Sequence, residues 1–248
     1  HLVSKQLQQN GLTPSQFKIS DEVILYLIRH YTREAGVRQL ERTIAALARK
    51  CVLELLTTKK KSMTINIKRV KEMLGREKFE YGKKEKENQV GLVTGLAYTQ
   101  FGGDVLPIEV TTFEGKGRLI LTGRLGDVMK ESAEIALGCV KSHVTEFGVD
   151  PKFMETHDIH VHVPEGAVPK DGPSAGVTLT TAIVSALTDR KVESNLAMTG
   201  EVTLRGNVLP IGGLKEKSLA AHRVGIDTII TGFAMAVSFF WPEANSGW

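Results

Sequence analysis

Nothing in the 248-residue chain approaches the ~20 consecutive apolar residues needed to span a membrane. The first ten residues, HLVSKQLQQN, carry no apolar stretch after their charge, so they do not read as a secretory leader. The chain opens on His rather than Met, and the reading is a fragment or a processed piece. Cysteine is scarce. Cys51 and Cys139 are the only two, each within a helical pattern, which excludes a disulfide framework and favours buried thiols in a reducing cytoplasm. No G-x-x-x-x-G-K-[ST] phosphate loop occurs, so the chain by itself is not expected to hydrolyse ATP. His160 and His162 share a strand face with His157 nearby, but no further His or Cys stands at a supporting spacing. Metal binding is therefore not expected.

The net charge of +4 conceals an asymmetry. Residues 1–89 hold 19 Lys+Arg against 10 Asp+Glu, a balance of +9, and residues 90–248 hold 13 against 18, a balance of −5. Opposite signs suggest two domains with different partners. The basic half could meet DNA, or it could be a solvated face rich in lysine.

The periodicity divides at the same place. Residues 1–80 read mainly as helix. Ser20 is a suitable N-cap for DEVILYLIRHY, and Val37, Leu40, Ile44, Leu47, Cys51 and Leu55 recur at helical steps across 36–57. A short strand at 63–67 precedes a helix over 68–74 that Gly75 ends. Residues 81–89, YGKKEKENQ, read as a linker. From residue 90 onward strands alternate with helices. Strands are expected at 91–99, 105–113, 118–124, 158–163, 196–204 and from 228, and helices at 126–147, 174–188 and 214–224. The fold class is mixed α/β: a small helical domain over 1–80, then an α+β domain over 90–248.

Two places could carry chemistry. In Gly172-Pro173-Ser174-Ala175-Gly176 a serine with small neighbours sits where a loop meets a helix, and N–H groups at a helix start can stabilise an oxyanion. A plain helix cap is the commonest role for such a serine. The segment also fits the G-x-S-x-G elbow of esterase-type hydrolases, with His222 as the only histidine after it. The other candidate is Lys217. It follows Gly212-Gly213 and shares a helix face with Leu214, Ser218 and Ala221, whereas Lys215 lies on a neighbouring, solvated face. A buried lysine can lose its proton and serve a serine as base. Periodicity leaves open whether Lys217 points inward.

Longer motifs go further. Pro169-Lys170-Asp171-Gly172-Pro173-Ser174-Ala175-Gly176 resembles the catalytic-serine motif of Lon proteases. The stretch from Met198-Thr199-Gly200-Glu201 through Leu209-Pro210-Ile211-Gly212-Gly213-Leu214-Lys215-Glu216-Lys217 is similar to the segment that carries their catalytic lysine. The resemblance implies a serine endopeptidase with Ser174 as nucleophile and Lys217 as general base. It makes Glu109, Asp171 and Thr199 positions that line or support the pair, and it places His160 and His162 on the family's His-x-His strand. Glu34-Ala35-Gly36-Val37-Arg38 resembles the small helical domain of the Lon AAA+ module, with Arg38 as the arginine that senses nucleotide. By resemblance the intact protein is a homo-hexamer that uses ATP and magnesium to feed unfolded or damaged proteins to the peptidase. Residues from Thr231 depart from the family pattern. TGFAMAVSFFWPEANSGW stands where a polar strand and helix are expected, so the last helix of that domain is expected to be missing or replaced.

Overall fold

A computed structural model describes residues 1–58, 60–79, 86–99, 101–164 and 170–232. The chain divides into two compact units, His1–Tyr81 and Gly82–Trp248. Residues 81–85 of the expected 81–89 linker and the apolar ending from residue 233 lie outside the described residues.

The first unit runs α1 (Leu2–Gln9), β1 (Phe17–Ile19), α2 (Asp21–Tyr31), α3 (Arg38–Thr58), β2 (Met63–Ile65) and α4 (Ile67–Leu74). The sequence reading assigned neither α1 nor β1 individually. β1 pairs in parallel with β2, Phe17 opposite Met63, and three-residue strands carry too little periodicity to recognise. The caps explain the boundaries. Ser20 accepts from the Val23 N–H, and Asn66 accepts from the Arg69 N–H at 2.9 Å. Asn66 therefore ends the strand expected to reach 67 and starts α4. At the head of α3, Glu34 stands in for a cap. Its two carboxylate oxygens accept from the Gln39 and Leu40 N–H groups at 2.8 and 2.9 Å. Leu27, Ile44, Leu47, Cys51 and Val70 close the core.

The second unit opens with β3 (Gln89–Val90), so the expected linker ends one residue early. β3 pairs with β8 (Lys191–Val192). The remaining elements are β4 (Leu92–Thr99), β5 (Gly102–Glu114), β6 (Leu119–Thr122), α5 (Asp127–Ser142), α6 (Phe153–Thr156), β7 (His157–His162), α7 (Gly176–Thr188), β9 (Leu196–Thr199), β10 (Glu201–Val202), β11 (Val208–Leu209), α8 (Leu214–Arg223) and β12 (Thr228–Thr231). Six strands form one mixed sheet in the order β12-β9-β4-β5-β7-β6. β12, β9 and β4 are parallel, β5 runs antiparallel to β4 and β7, and β6 lies parallel to β7.

Alternation along the strands divides the apolar residues between two cores. Val93, Ile108, Val161, Met198 and Ile230 face the layer of α5 and α7. Leu96, Val105, Ala197 and Ile229 face the other way and pack with Ala221 of α8. Almost every residue of α7 from 176 to 185 is buried, and its buried hydroxyls are all bonded. Thr178 donates to the Met198 carbonyl, Thr180 to the Gly176 carbonyl and Ser185 to the Arg190 carbonyl. Cys51 and Cys139 are free and buried, as expected. Among the described residues no helix is long and apolar enough to cross a membrane.

Three expected elements differ. The helix expected over 126–147 stops at Ser142, where the Ser142 hydroxyl and His143 ring bond the Cys139 carbonyl and end the ladder. The strand expected over 196–204 breaks at Gly200, whose N–H is taken by the Ser174 carbonyl. The helix expected from Ser174 starts at Gly176, and a 3-10 turn over Pro173–Ala175 precedes it.

Candidate active site

The serine turn is assembled from both sides. Gly172 holds φ 123° and ψ 155°, a conformation open essentially to glycine. Pro173 then starts the turn with its φ preset and no N–H to leave unpaired. Gly176 must lack a side chain, because a Cβ there would lie 2.6 Å from the Val202 backbone nitrogen. Asp171 anchors the approach. Its Oδ1 accepts from the Met129 N–H at 3.0 Å, which caps α5, whose own cap residue, Gly126, has no side chain to offer. The same oxygen accepts from the Gly172 N–H at 3.0 Å. Gly126 donates to the Lys170 carbonyl at 2.7 Å. The buried Ser132 hydroxyl of α5 donates to the Pro173 carbonyl at 3.4 Å.

Lys217 reaches this turn from the other face of the sheet. Its Nζ lies 2.9 Å from Ser174 Oγ and 3.0 Å from Thr199 Oγ1. The lysine is 2% exposed and Thr199 wholly buried, whereas Lys215 is exposed. Thr199 donates its hydroxyl proton to the Ser174 carbonyl at 3.3 Å, so a lone pair of Oγ1 is left for an N–H of Lys217. Burial pushes the Lys217 ammonium below the usual lysine range. Among the described residues no carboxylate pairs with it.

The other expected residues are placed differently. Asp171 touches α5 and its own loop rather than the lysine, so its support is indirect. Glu109 is exposed on β5, opposite His162 and Leu92, and bonds neither Ser174 nor Lys217. His160 Nε2 and His162 Nδ1 both meet the Thr122 hydroxyl, at 2.9 and 2.7 Å. One ring can donate while the other accepts. Among the described residues no group of three His, Cys, Asp or Glu could hold a metal. His222 is exposed and has no contact with Ser174. Arg38, exposed at the head of α3, lines a cavity of about 350 Å³ with Gln6, Glu41, Arg42 and Ala45. Two arginines among the lining residues are of a type that suits phosphate oxygens, with the Glu41 carboxylate beside them.

The sequence reading missed Ser132, Gly126 and Gly103, which sit far from the motifs in sequence. Gly103 of β5 lies against the backbone of α8, where a Cβ would fall 2.0 Å from the Glu216 carbonyl oxygen. No local pattern announces such contacts.

The profile of the Lon protease (S16) C-terminal proteolytic domain matches residues 64–235. The chain belongs to the Lon protease family. The profile of the Lon protease AAA+ ATPase lid domain matches residues 8–64. The two profiles meet inside β2, whereas the first compact unit continues to Tyr81. Lon protease 1 of Bacillus subtilis (strain 168) is 57% identical over 230 residues, 93% of this chain and 30% of that protein. The Lon protease of Vibrio parahaemolyticus is 56% identical over 231 residues, with coverage of 93% and 30%. That of Mycoplasma mycoides is 55% identical over 230 residues, with coverage of 93% and 29%. The chain thus spans about 30% of the length of these Lon proteases.

Proposed function

We propose that this chain is the peptide-cleaving part, with the ATPase lid, of an ATP-dependent Lon-type serine endopeptidase that cuts unfolded or damaged proteins. The observation that carries the reading is the 2.9 Å approach of a buried Lys217 Nζ to Ser174 Oγ, with no carboxylate on the lysine among the described residues. Neutral Lys217 takes the serine proton while Oγ attacks the scissile carbonyl. The N–H groups that follow Pro173 in the serine turn would stabilise the oxyanion. The ammonium then protonates the leaving amine. Water, deprotonated by Lys217, releases the acyl group and restores Ser174.

ATP and magnesium would be used by the rest of a longer protein, with Arg38 contacting phosphate. ATP hydrolysis there would supply the free energy to unfold and deliver substrate. A homo-hexameric ring and a cytoplasmic location belong to the same reading.

Cleavage of a denatured protein tests it. Ser174→Ala and Lys217→Ala are each expected to lower kcat by at least about 10²-fold, the lower end for loss of a general base. His222→Ala is expected to keep most activity. Loss of cleavage in a folded His222→Ala variant, with Lys217→Ala active, would transfer the role to the histidine. DNA binding by the basic half is the alternative reading: its ion pairs, Lys5 with Glu41, Lys60 and Arg69 with Glu54, and Lys71 with Glu77, engage four of its basic side chains and leave the balance of +9.

A further inference from the structure

Lys217 is useful as a base only where α8 holds it, and one hairpin meets α8 along its whole length. The ring of Tyr98, at the end of β4, lies against the α8 cap residue Gly213, where a Cβ would be 3.1 Å from Tyr98 Cγ. Gly103, the cross-strand partner of Tyr98 on β5, lies under the first turn of the helix. A Cβ on Gly103 would be 2.0 Å from the Glu216 carbonyl oxygen and 2.9 Å from the Lys217 backbone nitrogen. These are backbone atoms and cannot swing aside. At the helix end Arg223 Nη2 donates to the Gly103 carbonyl oxygen at 2.7 Å. One residue thus meets α8 twice, through its bare Cα beside Lys217 and through its carbonyl six residues further on.

Among the described residues, the other ties of α8 are the Lys217 bonds to Ser174 and Thr199 and a small apolar contact. Its cap, Gly213, offers no side-chain bond, and its apolar footing is the small cluster of Leu96, Val105, Ala197, Ala221 and Ile226. Because Lys217 is borne on α8, a shift of the helix is a shift of Nζ.

We propose that Arg223 and Gly103 are positioning residues that clasp α8 to the β4–β5 hairpin and so set the distance of Lys217 Nζ from Ser174 Oγ. The inference rests on the proposed role of Lys217. Breaking the clasp lets α8 rise, which lengthens the Nζ–Oγ distance and admits water to the lysine. Among the described residues, the groups facing Lys217 are the hydroxyls of Ser174 and Thr199 and no charged side chain. Hydration therefore raises the proton affinity of the lysine, with no opposing charge to mask the change.

The test is the rate at which a fluorophosphonate probe labels Ser174 in the full chain across a pH series, with thermal melts of each variant. Arg223→Gln removes the guanidinium, and Arg223→Lys retains one donor and the charge. Gly103→Ala adds the Cβ. Expected is a labelling rate in Arg223→Gln lowered by up to about 10²-fold, as for a catalytic group displaced by ~1 Å. Its pH limb moves to higher pH, and Arg223→Lys recovers part of both. Gly103→Ala, if folded, shows the same upward move. A folded Arg223→Gln with the parent rate and limb overturns the clasp while leaving the Ser174–Lys217 reading intact. A lower melting temperature with an unmoved limb also overturns it, because that is a structural role alone. Failure of the parent chain to label at Ser174, or labelling that survives Ser174→Ala, overturns the function and the clasp together.

Discussion

Lys217 in its charged form carries three N–H donors, and two acceptors meet it, Ser174 Oγ and Thr199 Oγ1. In the neutral form one N–H would go to Thr199, and the lone pair would accept the Ser174 hydroxyl. Burial therefore favours proton loss, and the folded chain binds fewer protons than the unfolded chain between the lowered value and 10.5. This residue's contribution to stability consequently rises with pH through that window, and at neutral pH the buried charge is a cost. Lys217→Met is expected to melt above the parent at pH 7, with the gain vanishing as the pH approaches 10.5, in calorimetric scans. The cleavage rate of the parent should rise with pH on a limb below the ordinary lysine range. Thr199→Val removes the acceptor that aims Nζ. It should lower kcat by roughly tenfold with KM held, the ~1.4 kcal/mol scale of one hydrogen bond. Of these contacts the sequence showed only the partners' names. Helical spacing puts Lys217 on a face with Leu214 and Ala221, but the depth of that face is set by β4, β5 and the serine turn packed on it.

Two aspartates show how single side chains hold whole elements. Asp171 couples the serine turn to α5, so Asp171→Ala should cost about 0.5–2 kcal/mol as a lost helix cap. It should also slow Ser174 labelling, which a cap alone would not do. Asp158, on β7, does the same for the connection between β5 and β6. Its carboxylate accepts from the Lys116 and Arg118 N–H groups at 2.8 and 2.9 Å, and from Arg118 Nε and Nη2 at 2.9 and 2.7 Å. The Arg118 guanidinium and these N–H groups hold its pKa at about 2, below the usual 3.8. The stabilisation is present above the unfolded value and lost as pH falls from 3.8 through about 2. Asp158→Asn should lower stability at pH 7, since its NH₂ would face the arginine donors. It should also flatten that acid dependence in urea melts at successive pH values. The caps at Ser20 and Asn66 were legible because they act on the next turn of their own chain. Asp171 and Asp158 act 42 and 40 or more residues away, and no local pattern shows them.

At the scale of the molecule, the charge asymmetry and the change of periodicity near residue 81 marked two units before any coordinates, and the cores of the two units are separate. Residues 1–81 expressed alone should give a helical spectrum and a cooperative melt. A non-cooperative trace would show that this core needs its neighbour. The same fragment tests the DNA reading. A duplex shift at 50 mM salt that weakens about 10³-fold by 200 mM, the slope for about six phosphate contacts, would support it, and no shift would leave a solvated face. The sequence by itself determined the mixed class, the two units, most elements to within a few residues, and the family through contiguous motifs around Ser174 and Lys217. These follow from neighbours along the chain: hydrophobic period, caps, glycine at turns. The tertiary structure alone decided that Lys217 and not Lys215 is buried, that no carboxylate among the described residues meets it, that Asp171 serves α5, and that Glu109 bonds neither member of the pair. Those facts depend on what distant segments bring to one point. Thr199, Ser174 and Gly103 surround Lys217 from three strands and turns, and desolvation by such neighbours sets the proton affinity of a lysine.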